Sequence, residues 1–148
     1  MPSYTENLTV PAEGAGRTRD DGISSWFNPG ELKPYDVQDY TDEIFESAIE
    51  ANIDTRLVYA MISQETSSGG HKNHKLGDRA AMKWDSNTAI GPGNVTVDAW
   101  THLQGRFPEV FGGHQYEAMI DDKWLAVRAV AYRLKGIDED LTAAIKRK

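Results

Sequence analysis

Glu65 is the side chain whose type and position first point to chemistry. Apolar residues recur at helical spacing before it, at Val58, Met61 and Ile62. Continuing this stripe reaches Glu65, so we expect a carboxyl group on the apolar side of a helix, close to its C-terminus. Desolvation and the helix dipole both favour the protonated acid there, and general-acid catalysis requires a protonated carboxyl group. The alternative is that the helix frays at Ser63 and Glu65 points into water.

The other candidate nucleophiles and ligands carry weaker signals. The chain contains no cysteine, which excludes thiol nucleophiles, disulfides and thiolate metal sites. Ser67 and Ser68 lack the sharp strand-to-helix turn that presents a nucleophilic serine. His71 and His74 are separated by only two residues, and solvated loop histidines are the expected state for this pattern rather than metal ligands. We therefore predict no metal and no cofactor, and we assign the chemistry to carboxylates.

The surroundings of Glu65 resemble a known family. The segment Ile62-Ser63-Gln64-Glu65-Thr66 resembles the Gln-Glu-Ser segment of the lysozyme-like superfamily, nearest to the soluble lytic transglycosylases and the goose-type lysozymes. The segment 89–95 is similar to the family's Gly-Leu-Met-Gln loop, with Gly91 and Asn94 at the glycine and amide positions. Residues 122–134 are similar to the helix that follows that loop. The resemblance covers about residues 40–145 and implies a mostly α, lysozyme-like (transglycosylase-type) helical domain with long active-site loops.

The resemblance also implies a reaction. It is cleavage of the β-1,4 bond between N-acetylmuramic acid and N-acetylglucosamine in bacterial peptidoglycan, with Glu65 as the general acid. Thr66, which keeps the hydroxyl of the family's serine, would then bind substrate together with Gly91 and Asn94. The amide of Asn94 offers both a donor and an acceptor to a sugar N-acetyl group. The family's later Ala-Tyr-Asn segment is matched only by an earlier Ala-Tyr pair, which makes Tyr132 a further substrate-binding candidate.

Two aspartates are candidates for a second catalytic carboxylate. Gly77-Asp78-Arg79 resembles a segment of the goose-type lysozymes, and Asp85 lies at the corresponding distance before Gly91. In an inverting hydrolase, such a carboxylate activates water from about 6.5–9.5 Å away from the acid. In a lytic transglycosylase the substrate's own C6 hydroxyl attacks and leaves a 1,6-anhydro product, so no second carboxylate is needed. The alternative for both aspartates is that they are loop caps or solvated acids.

Aromatic residues divide between the core and sugar binding. Trp100 and Trp124 lie on apolar helix stripes, which predicts that they are core residues. Trp84 stands between charged residues in a polar stretch, so we expect it to stack on a sugar face. Tyr59 and Tyr116 are candidates to donate hydrogen bonds into a cleft, and a place in the core is an equal alternative for Tyr59.

Hydrophobic periodicity and capping signals define the elements that position these residues. The stretch Ser67–Asn94 has few apolar residues and is predicted to be a long loop that is either functional or mobile. Residues 1–22 read as a polar arm, with Trp26 and Phe27 as an anchor at the start of the catalytic domain 23–148. The predicted helices are Asp36–Asn52, one that starts after Asp54 and is ended by Gly69-Gly70, Thr96–Gln104, one from Asp121 or Asp122 to Lys135 that Gly136 stops, and a short last one from Asp138.

Composition bounds the partners. The chain has 148 residues with 23 acidic and 16 basic side chains, a formal charge of −7, which suits one domain and argues against nucleic-acid binding. It contains no long apolar run, so no membrane insertion is expected. Its start lacks a basic and apolar leader. We therefore expect a monomer made without a signal peptide, in the host cytoplasm or virion like a bacteriophage endolysin, that acts on peptidoglycan glycan strands at the cell wall.

Two other functions compete with cleavage by Glu65. One is a non-catalytic lysozyme-like module that binds the wall or forms a phage structural part, because the glycine loop and the Ala-Tyr-Asn segment both depart from the family pattern. The other is a metal-dependent hydrolase that uses His71 and His74.

Overall fold

The computed structural model describes residues 29–68, 74–85 and 87–147. Helices dominate these ranges, which confirms the mostly α class, and the extended pairing found there is a single antiparallel bridge between Ile90 and Val95. A compact unit begins at Pro34, and the part before it is described only for residues 29–33. The predicted arm 1–22 and the Trp26-Phe27 anchor lie outside the described residues.

Six α-helices and three 3-10 turns lie within the described ranges. None of these helices is long and apolar enough to cross a membrane. The helices are α1 (Thr41–Ala51), α2 (Thr55–Ser68), α3 (Lys75–Trp84), α4 (Val97–Arg106), α5 (Pro108–Phe111) and α6 (Lys123–Lys146), and the 3-10 turns are Pro29–Leu32, Val37–Tyr40 and Tyr116–Ile120.

Helices whose ends carry strong local signals lie where the sequence predicts them. Asp36 accepts a hydrogen bond from the Gln38 N–H and opens the 3-10 turn that leads into α1. Asn52 ends α1 in the left-handed region with φ of 59°, a conformation that asparagine tolerates better than most residues. Thr96 Oγ1 accepts from the Ala99 N–H at 3.1 Å and caps α4.

Helix α3 corrects the prediction of an unbroken loop from Ser67 to Asn94. It begins after His74, whose Nδ1 accepts a hydrogen bond from the Gly77 N–H at 2.8 Å. The sequence did not reveal this start because histidine is not among the preferred capping residues, and because Gly77 and Asp78 have low helix propensity. Asp78 and Trp84 are therefore helical residues rather than loop residues.

Helix α6 corrects a second prediction, because Gly136 does not stop it. The helix continues through the predicted break to Lys146. Glycine in a helix interior costs about 1 kcal/mol relative to alanine. Arg106 lies against the glycine, where a Cβ would be only 3.4 Å from its Nη1, and it forms ion pairs with Glu139 and Asp140 on the following turn. This contact from α4 offsets the local preference of Gly136 for a helix end.

The core surrounds the first half of α6. This helix packs against α1, α2 and α4, and its residues Leu125 to Tyr132 are almost all buried. The buried stripe of α2 contains Val58 and Ile62, as predicted. Ile49 on α1 and Leu57 on α2 are exposed although they are apolar, because the buried stripe of each helix is narrower than its set of apolar residues.

Candidate functional site

Glu65 lies in the last turn of α2, at the edge of the buried stripe. Val58, Ile62 and Thr66 follow one another at four-residue intervals and are buried, whereas Glu65 is half-buried. The helix does not fray at Ser63, because it continues to Ser68. Within the described ranges, no hydrogen bond or ion pair engages the Glu65 carboxyl group. Glu65 is thus less enclosed than its position on the sequence stripe predicts.

The hydroxyl of Thr66 points back into its own helix. Its Oγ1 donates to the Ile62 carbonyl at 2.8 Å and lies 3.2 Å from the Ser63 carbonyl, the usual backbone contact of a helical threonine. Thr66 is buried, so its described contacts stabilise the last turn of α2 rather than face a substrate.

The glycine motif forms one tight turn, from Ile90 to Val95. Ile90 and Val95 exchange backbone hydrogen bonds of 3.1 and 2.9 Å, and the Asn94 N–H donates to the Gly91 carbonyl at 3.0 Å. Gly91 has φ of 79° and Asn94 has φ of 50°, backbone conformations that glycine and asparagine adopt most readily. Residues 91–93 are buried, whereas the side chain of Asn94 is exposed. The turn therefore presents the predicted amide at the surface.

Tyr116 holds this turn from outside. Its hydroxyl lies 2.5 Å from the Thr88 carbonyl and 2.7 Å from the Val95 carbonyl, so one proton is shared between two backbone acceptors. Burial, together with the negative charges of Asp78 and Asp85, raises the pKa of Tyr116 to about 12. The hydroxyl remains protonated and donating at neutral pH. The sequence had suggested that Tyr116 donates into a cleft; its described acceptors are the backbone.

Asp78 holds the same turn from inside. Its side chain is only 3% exposed, and its Oδ2 accepts from the Tyr35 hydroxyl at 2.6 Å and from the Gly91 N–H at 2.8 Å. Burial and the bond to Asp78 raise the pKa of Tyr35. A carboxylate oxygen with two donors already in place is poorly suited to activate water. Asp78 connects α3, the chain before α1 and the glycine turn.

Gly93 permits the closest approach of the turn to the core. A Cβ at this position would lie 2.4 Å from the Cγ2 of Val130 on α6, which is closer than two carbon atoms can pack. The glycine is required here for space. The contact joins positions 37 residues apart (130 minus 93), so no local pattern in the sequence indicates it.

Asp85 and Trp84 lie at the C-terminal end of α3. Asp85 is exposed and accepts from the Asn87 N–H at 2.9 Å, so it caps a turn, which is the alternative that the sequence left open for it. Trp84 is 91% exposed, a large apolar ring left in solvent. Its exposure is what a stacking platform for a sugar requires.

Tyr132, the other substrate-binding candidate, belongs to the core. Its ring packs edge-on against Phe107 and Phe111, with centroids 5.1 and 5.7 Å away. Its hydroxyl donates to Glu50 Oε2 at 2.8 Å, and burial together with this bond raises its pKa to about 12. Tyr132 also lines a groove of about 310 Å³ between α4 and α6, whose lining includes neither Glu65 nor the glycine turn. The described contacts of Tyr132 are therefore those of a core residue.

Of the two histidines considered as metal ligands, the structure describes His74. His74 is the cap of α3, with Nδ1 committed to the Gly77 N–H, and His71 lies outside the described residues. Trp100 is buried against Phe111 and Tyr116, as predicted for a core residue, while Trp124 is half-buried.

The structure adds one residue that the sequence did not indicate. Tyr35 lies before α1 and reaches Asp78 across 43 positions of the chain. A tyrosine in a polar stretch of sequence does not indicate such a bond. The nearby buried Val37 is the only local sign that this part of the chain packs on the core. Together Tyr35, Asp78, Gly91 and Tyr116 form a network that fixes the turn.

Comparison of the chain with protein-family models, with curated proteins and with solved structures finds no match. The resemblance to the lysozyme-like superfamily therefore stays a prediction from short segments of the sequence, at Glu65, at 77–79, at 89–95 and at 122–134.

Proposed function

We propose that this protein cleaves the β-1,4 glycosidic bond between N-acetylmuramic acid and N-acetylglucosamine in peptidoglycan, with Glu65 as the general acid. The proposal depends mainly on the surroundings of Glu65. Its side chain is half-buried on the last turn of α2, and its carboxyl group has no hydrogen-bond or ion-pair partner within the described ranges. A carboxyl group without one is available to a glycosidic oxygen.

The role of Glu65 is to protonate the leaving oxygen as positive charge develops on the sugar ring. Its half-buried position at the edge of α2 leaves part of the carboxyl group open to a bound glycan.

The contacts of the two aspartates favour the transglycosylase outcome. Asp78 Oδ2 is saturated by the Tyr35 hydroxyl and the Gly91 N–H, and Asp85 caps a solvent-exposed turn. Neither arrangement resembles a carboxylate that positions a water molecule. We therefore infer that the C6 hydroxyl of the substrate attacks its own anomeric carbon, as Glu65 donates its proton to the departing sugar oxygen. The same residue then takes up the hydroxyl proton, and the product carries a 1,6-anhydro ring.

Substrate recognition would rest on shape and stacking rather than on net charge. The chain carries a charge of −7, and bacterial walls are commonly anionic, so bulk electrostatics oppose docking. The exposed ring of Trp84 supplies stacking area, and the amide of Asn94 supplies a donor and an acceptor at the surface of a fixed turn.

Mass spectrometry of muropeptides released from purified cell walls tests the proposal. Anhydro-muramic ends are expected from the native chain, and none above background from the Glu65→Gln variant. Reducing ends would show hydrolysis, and a second carboxylate that activates water would then have to be sought. If no wall type releases fragments, the cleavage proposal fails, and the non-catalytic lysozyme-like module, wall-binding or structural, becomes the better explanation.

A further inference from the structure

The second half of α6 extends beyond the core. Every residue from 137 to 147 is exposed, in contrast to the buried first half of the same helix. An extension of 11 residues at 1.5 Å per residue is about 16 Å long. Isolated helices of this length are marginal in water, because most helical stability in proteins comes from packing one face. The extension is anchored at its start, where Arg106 pairs with Glu139 and Asp140.

An apolar stripe follows one face of this extension. Ile137, Leu141 and Ile145 are spaced by four residues and are 56%, 59% and 64% exposed. None of them belongs to the core or to the partly buried side chains that pack against it. Three large aliphatic side chains on one helical face are the pattern of a helix that packs against another helix.

Charges along the extension are separated by sign. Asp138, Glu139 and Asp140 lie at one end of the stripe, and Lys146 and Arg147 lie at the other. Within the described ranges, Asp138, Lys146 and Arg147 have no ion-pair partner of their own chain. The start of the extension is acidic and its end is basic. A second copy therefore places opposite charges side by side only when it runs antiparallel to the first.

We propose that the apolar stripe of α6 (Ile137, Leu141 and Ile145) is a self-association surface, on which a second copy of the chain packs antiparallel. The two-fold axis would pass near Leu141, with Ile137 of each copy against Ile145 of the other. In that arrangement Asp138 lies near Lys146 of the opposite copy, whereas a parallel pair would bring like charges together. The arrangement is closed because each copy contributes the same surface.

The proposal replaces the sequence-based expectation of a monomer, and it is independent of the cleavage proposal. A contact limited to one helical face of this length buries far less than about 1,200 Å², the lower limit of stable interfaces, so the dimer should be weak. A dissociation constant on the order of 10–500 µM is expected for such a contact.

Sedimentation equilibrium of the full chain between about 5 and 500 µM tests the proposal. The weight-average mass should rise from the 16.5 kDa of one chain towards twice that value. Leu141→Glu should remain monomeric throughout, whereas Ala143→Glu adds the same charge on the far side of the same helical turn and should associate like the native chain. Far-UV circular dichroism checks that both variants are folded.

Disulfide cross-linking tests the orientation, since the chain has no cysteine of its own. A mixture of Ile137→Cys and Ile145→Cys chains should give the mixed disulfide, identified by peptide mass mapping, and each variant alone should give little. Efficient cross-linking of each variant with itself would overturn the antiparallel arrangement. A native chain that stays monomeric over the whole concentration range, or a Leu141→Glu variant that associates normally, would overturn the surface itself.

Discussion

The turn from Ile90 to Val95 and the end of α2 carry the two motifs of the proposed site, and they are held in different ways. The turn is fixed from both sides, by Asp78 on the Gly91 N–H and by Tyr116 on two carbonyl groups. Glu65 lies on the last turn of α2, and no hydrogen bond or ion pair of the described residues engages its carboxyl group. The backbone of the turn is engaged in contacts, whereas the carboxyl group of Glu65 stays available.

The difference reflects two roles, because the turn would bind the sugar and Glu65 would donate the proton. A surface that receives a rigid sugar must be organised before the sugar binds, because each side chain that has to be ordered on binding weakens affinity. The proton donor has the opposite requirement, because hydrogen bonds donated to a carboxyl group stabilise its charged form and leave it without a proton to donate. Substitutions in the two regions should therefore separate loss of activity from loss of stability.

Glu65→Gln should give the largest effect, and it should appear in activity alone. Removing a general acid costs about 100- to 10,000-fold in rate, while the isosteric amide should change the free energy of unfolding by less than about 0.5 kcal/mol. Clearing of a cell-wall suspension and urea denaturation measure the two quantities. Glu46→Gln, the same change at an exposed position of α1, is the matched control. Lysis that survives the Glu65 substitution would contradict the assigned mechanism.

Asp78→Ala should show the reverse pattern, with stability lost first. It leaves the Gly91 N–H and the Tyr35 hydroxyl without their buried acceptor, which should cost about 2–4 kcal/mol of unfolding free energy. Asp78→Asn keeps one oxygen that can accept both bonds and should cost clearly less. Urea denaturation of both variants decides the matter. Equal losses for alanine and asparagine would show that the two hydrogen bonds are not what Asp78 contributes.

Gly93→Ala tests the close approach of the turn to α6. The added Cβ overlaps Val130 Cγ2, and overpacking of this kind costs about 1–3 kcal/mol. Val130→Ala removes the clashing methyl group, so the double variant should be more stable than the sum of the two single losses predicts. Thermal unfolding of the four chains in this cycle measures the coupling. Purely additive losses would place the strain elsewhere.

Tyr116→Phe should have the smallest effect, about 1 kcal/mol, because it removes one shared hydrogen bond. It should also change the alkaline stability profile. The folded protein holds the pKa of Tyr116 at about 12 against 10.0 in the unfolded chain, so its contribution is complete below pH 10 and is lost as the pH rises towards 12. Unfolding free energy measured from pH 9 to 12 should therefore fall less steeply in the variant than in the native chain. Identical slopes would refute the assignment.

Local signals in the sequence are sufficient for much of the fold. Asp36, Thr96 and Asp122 accept hydrogen bonds from backbone N–H groups two or three residues later, and such caps act within one turn of the chain. The sequence predicts the starts of these three elements close to their observed positions. The Glu65 segment and the glycine turn were identified in the same way, since each is a short run of residues with a defined pattern.

Contacts between distant residues decided the rest. Gly136 reads as a helix stop, yet Arg106 packs on it from another helix and the chain continues. Asp78 reads as a loop acid beside a possible water, yet Tyr35 and Gly91 bury it. The sequence determined which residues can cap, turn or donate a proton, because those properties belong to a residue and its near neighbours. Which carboxyl group is engaged and which is left available depended on groups 13 to 43 positions away, and only the tertiary structure brings those groups together.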